Sequence, residues 1–171
     1  MLAGFVAVAL AQSAANDPGV AAGVQQQGNA LAAALLNEDF AGVAATACSP
    51  VLARVGGGKA LARQIEVSFK VMQQQGRRLV AMDFRPPSAV FETAETRFAL
   101  VPYRSVVQVN ADRVELDSYY LGVQNKGADS WCFIDTAALT AANLREFFPG
   151  APPALKLPPL GDAVVERGGT Q

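Results

Sequence analysis

From Arg97 to Asp135 the apolar positions follow the two-residue period of β-structure. Arg97 to Val109 is dense in β-branched and aromatic residues. Arg113 to Gln124 opens with near-strict alternation, so Val114, Leu116, Ser118 and Tyr120 share one face, and Glu115, Asp117 and Tyr119 share the other. Ser130 to Asp135 is a third, short strand, on which Trp131 and Phe133 share a face. Asn110-Ala111-Asp112 and Asn125-Lys126-Gly127 separate the three, with residue types that tolerate the positive φ of hairpin turns. At about 3.3 Å per residue the first strand would run on the order of 40 Å if straight. That is too long for a flat sheet in a small domain. The strand is expected to bend, with Pro102 marking a bulge.

Upstream the period lengthens to that of a helix. Asp17-Pro18 supplies an N-cap and a first-turn proline, and Val24, Leu31, Leu35 and Leu36 follow at helical spacing. Asn37-Glu38-Asp39 ends this helix and caps a second, Phe40 to Cys48, before Ser49-Pro50 forces an extended residue. A third runs from Ala60 to Gln75, with Leu61, Ile65, Phe69 and Met72 on its apolar face. Arg63, Glu66 and Lys70 on that helix are spaced for intrahelical pairs, and Gly76 closes it. Leu79 to Phe84 and Ser88 to Glu92 are strand segments interrupted by Pro86-Pro87, as befits a sheet edge. Beyond Asp135, Thr140 to Phe148 is a short amphipathic helix with Leu139, Leu144, Phe147 and Phe148 as its apolar positions. A proline-rich stretch follows, whose Leu155 and Leu157 can dock on the domain, and Gly161 to Gln171 reads as a loose tail. The pattern predicts an α+β fold: three N-terminal helices packed on a strongly bent antiparallel meander, with a short C-terminal helix. It divides the chain into a leader at 1–16, one domain at 17–150 and a tail at 151–171.

The leader prediction rests on Leu2 to Ala11, an apolar run ending in the small-residue pattern Ala9-Leu10-Ala11. That suits a signal peptide, although no Lys or Arg precedes Arg54. The run is too short to span a bilayer. Export, periplasmic or secreted, is the expectation.

Composition narrows the chemistry. The formal net charge is -1 and no basic stripe is present, which argues against nucleic acid as a partner. The chain has no histidine, which excludes Ser-His-Asp and Cys-His catalysis and the usual histidine-based metal sites. Acid–base work would fall to Asp, Glu, Tyr, Lys or Cys with pKa values moved by burial. No metal or cofactor is called for. Cys48 and Cys132 are either two buried thiols or a disulfide tying the helical layer to the third strand. They form no Cys-x-x-Cys pair, so thiol redox chemistry is the weakest of the readings. Gly56-Gly57-Gly58-Lys59 has glycines at a helix entry, but Ala53 and Ala60 stand where a phosphate loop needs Gly and Ser or Thr. It is read as a flexible helix entry.

Three motif-bearing helices followed by a long bent meander carry a further pattern: Asn37-Glu38-Asp39-Phe40, then Pro50 with Gly57-Gly58-Lys59, then Val101-Pro102-Tyr103, and finally Trp131-Cys132-Phe133-Ile134-Asp135. Over roughly residues 25 to 150 this resembles the nuclear transport factor 2-like superfamily, and within it an uncharacterised bacterial group. Such members often carry an aromatic residue or His before the proline matching Pro50, where this chain has Cys48-Ser49. The resemblance implies a cystatin-like α+β roll. It does not by itself imply an activity, since folds host many functions.

Ketosteroid isomerase-like members use a carboxylate base with a tyrosine and a neutral carboxylic acid as oxyanion donors. The corresponding set here would be Asp83, Tyr103 and Tyr120, and a ligand pocket would be lined by Tyr103, Ser118, Tyr120 and Trp131. Against this, Trp131 and Phe133 read as core filler, Tyr120 as a core tyrosine, and Asp135 as a turn or cap residue. The reading favoured is an exported, non-catalytic roll domain that binds a partner protein, itself or a small apolar ligand. Pairing as a homodimer would use an outer sheet face carrying Arg97, Glu115, Asp117 and Tyr119. A small isomerase or dehydratase is the alternative.

Overall fold

The computed structural model describes residues 17–167. The predicted leader lies outside the described residues. These form an α+β fold with five α-helices and one strongly curled, half-barrel antiparallel sheet of six strands.

Four helices precede the sheet, one more than the sequence predicts. Helix α1 (Pro18–Leu36) starts where the Asp17 carboxylate accepts the backbone N–H groups of Gly19 at 2.8 Å and Val20 at 3.4 Å. Its buried residues Val20, Val24, Gly28, Leu31 and Leu35 recur every three or four positions and define one face. Asp39 caps the short α2 (Phe40–Ala45) by accepting from Gly42 N at 2.9 Å. The extra helix is α3 (Ser49–Val55). Cys48 is extended, as a residue near proline tends to be, but Pro50 then sits in the first turn, where a missing N–H costs nothing. Gly56 and Gly57 have φ of +89° and +99° and reverse the chain into α4 (Gly58–Gln74). The glycine run is thus a helix-to-helix turn. On α4 an exposed Lys70–Glu66 pair at 2.6 Å has the predicted spacing.

The sheet is built on two long central strands, β3 (Thr96–Val109) and β4 (Asp112–Asn125). Their register runs without a break from Thr96 opposite Asn125 to Val109 opposite Asp112. Pro102 therefore marks no bulge. Its carbonyl accepts from Arg85 N at 2.9 Å, so its missing N–H faces the Pro86-Pro87 gap. There β1 (Arg77–Phe84) has ended and β2 (Ala89–Glu92) has not begun. Both short strands pair with β3. The bulge lies instead in β1, where Leu79 and Ala81 face Val107 and Val106, leaving Val80 as the inserted residue. The free edge of β4 likewise carries two short strands, β5 (Cys132–Asp135) and β6 (Ala163–Glu166). The sequence reading placed 163–166 in a loose tail. A four-residue run with two valines gives little period to detect.

Alternation along β3 and β4 sends apolar side chains to both faces, and each face has its own core. On the inner face, Ala99, Val101 and Tyr103 pack with Met82, Phe84, Phe133 and Trp131 beneath α1. On the outer face, Phe98, Leu100, Leu121, Val123 and Ile134 pack beneath the chain's C-terminal part. That cover consists of Leu139, helix α5 (Ala141–Phe147) through Leu144, and then Phe148 and Leu155. The chain passes from one face to the other around β5. Phe133 N donates to Thr46 O at 2.8 Å, Ala47 bridges Phe133 in parallel, and Cys48 is disulfide-bonded to Cys132.

The remainder of the outer face is charged. Arg104 meets Asp117 through two hydrogen bonds of 2.8 and 3.0 Å, and Glu115 at 3.2 Å. Arg97 does not belong to this set. Its register partner is Gln124, which puts it on the side of Ala99 and Tyr103, and it pairs with Glu92 at 2.7 Å. Tyr119 packs against the outer core.

Candidate functional site

Register brings a polar group together on the inner face. Tyr103 of β3 lies opposite Ser118 of β4, and Tyr120 of β4 lies opposite Asp135 of β5. Two aromatic rings from neighbouring strands, Phe84 and Phe133, enclose them. Tyr103 and Tyr120 have ring centroids 5.1 Å apart, with Phe84 at 5.7 Å from the first and 5.4 Å from the second.

The Asp135 carboxylate does two things here. Its Oδ1 accepts from Ala137 N at 2.9 Å, capping a 3₁₀ turn (Thr136–Ala138), and the side chain also takes the Tyr103 hydroxyl. Burial pushes its pKa above the ordinary carboxylate value, with the Ala137 N–H and the Tyr103 hydroxyl acting in the opposite direction. Burial first, and then the charge of Asp135, push the Tyr103 phenol up to about 12. Tyr120 is raised further for the same reasons, with Tyr103 adding to them. Ser118 Oγ is buried without a hydrogen-bond partner of good geometry, within reach of the Tyr103 hydroxyl. Two un-ionised phenols beside a carboxyl held towards its neutral form could donate to a developing oxyanion. Access is restricted, however: Tyr103 is 7 % exposed and Ser118 2 %, while Tyr120 and Asp135 are half-buried against the same core.

Asp83 does not join this group. It lies opposite Arg104, exposed, on the outer face of the sheet. The bulge at Val80 alters the register of β1, and with it the parity that an unbroken strand would give. Trp131 is in the inner core. Its backbone N–H donates to Gln27 Oε1 at 2.7 Å, and a Cβ on Gly122 would stand 3.2 Å from its Cε3. The carboxylate beside the tyrosines is Asp135, which the sequence reads as a turn or cap residue; it does cap the turn, and it also faces inward. The signal was present, since Trp131, Phe133 and Asp135 are spaced two apart and an inward Phe133 implies an inward Asp135.

Two roomy openings among the described residues lie elsewhere, on the outer side at one end of the sheet. One cleft of about 360 Å³ is lined by Thr93, Glu95 and Thr96 of the β2–β3 turn and by Phe98, Phe147 and Phe148. A second, of about 370 Å³, lies across Phe148 and is lined by the disulfide, Ser49, Pro50, Asn125 and Ser130. Neither is lined by Tyr103, Ser118, Tyr120 or Asp135. A crevice between α1, α4 and β1 has a volume of about 10 Å³, room for at most one water. Among the described residues no group of three or more Cys, Asp or Glu is placed to hold a metal ion, and no helix is long and apolar enough to cross a membrane.

Comparison with known proteins found no matching family model, curated protein or solved structure.

Proposed function

We propose that the chain is an exported, disulfide-stapled, non-catalytic domain of the cystatin-like roll type, similar to nuclear transport factor 2-like proteins, which binds a small apolar ligand. The observation that carries this reading is the separation of polar chemistry from open space. Tyr103 is buried in the inner core and the half-buried Tyr120 and Asp135 pack beside it, while the clefts of ligand size open around Phe148 and are lined by none of the three. The Cys48–Cys132 bond supports export, because disulfides persist in oxidising compartments. Self-pairing through the outer sheet is less well supported. Its apolar half is already covered by residues 139–157, and its charged half is ion-paired internally.

Amide chemical-shift mapping with a panel of small apolar molecules tests the reading. Shifts gathered at Thr93 to Phe98 and at Phe148 support it. Shifts gathered at Tyr103, Tyr120 and Asp135 overturn it.

A second reading, a small isomerase or dehydratase, draws on the convergence of Asp135, Tyr103 and Tyr120. It requires the inner core to open to admit substrate, with Asp135 in the role first given to Asp83. Turnover of a β,γ-unsaturated ketone, lost in Tyr120→Phe, would establish it.

A further inference from the structure

The clefts beside Phe148 differ in one respect that bears on what binds. The first has a single charged group on its wall, the Glu95 carboxylate. Two carboxylates lie at the β2–β3 hairpin, and the nearby cations all go to the other one. Glu92 takes Arg97 at 2.7 Å and Lys126 at 3.2 Å, and burial of this pair notwithstanding, they hold its pKa below the ordinary value. Lys126 touches Glu95 only through the backbone, donating its N–H to the Glu95 carbonyl at 2.7 Å. Among the described residues no cation pairs with the Glu95 side chain, which is exposed at the rim. The rest of the wall is uncharged, with Phe98, Phe147 and Phe148 beside Thr93, Thr96 and Pro149. Phe98 is buried and stacks edge-on to Phe148 at 5.7 Å, and Phe147 already holds the Arg54 guanidinium 4.9 Å from its ring centre. The Arg54 charge is itself met by Glu146 at 3.2 Å, so it does not offset Glu95.

An unpaired carboxylate at the mouth of an aromatic cleft attracts a cation whose body is apolar. We propose that this cleft binds a small apolar ring bearing an ammonium group, with the ring between Phe98, Phe147 and Phe148 and the nitrogen at Glu95. The proposal rests on the apolar-ligand reading above and specifies the chemistry of that ligand.

Three probes of similar shape separate the two ideas: 2-phenylethylammonium, 2-phenylethanol and 3-phenylpropionate, titrated into the whole protein and followed at the amides of Thr93 to Thr96 and Phe148. The ammonium should bind more tightly than the alcohol by about two- to fivefold, the range of an exposed ion pair, and the carboxylate should bind most weakly. Glu95→Gln should abolish the preference and leave the melting temperature unchanged, since among the described residues this carboxylate has no ion-pair partner. Equal binding of ammonium and alcohol, or an unchanged preference in Glu95→Gln, overturns the ammonium proposal and leaves the apolar-ligand reading standing. If no probe shifts these amides at concentrations up to roughly 10 mM, beyond the millimolar range of weak ligands, both fall.

Discussion

Gly28 of α1 rests directly on the ring of Phe84 in β1. A Cβ at residue 28 would lie 2.8 Å from both Cγ and Cδ1 of that ring. The contact sets how closely the long helix approaches the sheet, and Phe84 in turn abuts both inward tyrosines. Gly28→Ala therefore sets two effects against each other. Alanine favours the helix by about 1 kcal/mol, while overpacking a filled core costs about 1–3 kcal/mol. The second should win, because the obstacle is a buried ring held on three sides. A lower urea midpoint is expected; a higher one would mean that the helix can lift without loss.

Leu155 tests the C-terminal segment. It is 5 % exposed and packed in the outer core, 16 residues before the end of the chain. Leu155→Ala should lower unfolding free energy by about 2–4 kcal/mol. A change below roughly 0.5 kcal/mol, the usual size for surface sites, would contradict the docking of Leu155 on the domain.

The disulfide spans 84 residues of sequence and joins the crossover at Cys48 to β5. In the chain-entropy treatment a loop of that size contributes about 4–5 kcal/mol. Reduction should bring a large fall in the denaturant midpoint. An unchanged midpoint in reductant would show that the crossover is held by Thr46, Ala47 and Phe133 alone.

Asp135 and Asp117 should show opposite pH signatures. The folded pKa of Asp135 is raised, so the fold binds its proton more readily than the unfolded chain does. Its contribution is most favourable below the ordinary carboxylate value and declines as pH rises through the folded pKa. Asp117 is lowered, chiefly by its hydrogen bonds from Arg104, so its contribution is present above the ordinary value and is lost as pH falls through the folded pKa. Asp135→Asn should remove the decline on the alkaline side of pH 4, roughly the unperturbed carboxylate value. Asp117→Asn should remove part of the acid loss, and only by about 1 kcal/mol or less, because the pair is half exposed. Urea midpoints measured from acid to neutral pH distinguish the two.

These sites also show what the sequence could carry. The long hairpin, its turn residues and the facing of Val114 to Tyr120 follow from alternation and are as expected. So are the Asp17 and Asp39 caps. Local pattern failed where a tertiary event intervened. The Val80 bulge turned Asp83 away from the tyrosines, and the regular register of β3 puts Arg97 on the inner side, opposite Gln124. Helix α3 was hidden because proline was read as an interruption when it stood in a first turn. Strand β6 has no strong pattern of its own and exists by pairing with β4. The clefts around Phe148 are assembled from segments far apart in sequence, and no spacing announces them.

The central claim is that Tyr103 and Tyr120 pack into and against the inner core and line neither of the clefts around Phe148. Ionisation of the individual phenols, followed by NMR of ¹³Cζ-labelled tyrosine in the folded protein, tests this most directly. Tyr103 should titrate at about 12, and Tyr120 should remain un-ionised beyond it. If both ionise near the ordinary tyrosine value of about 10 while the protein stays folded, the pair is open to solvent and the account is contradicted.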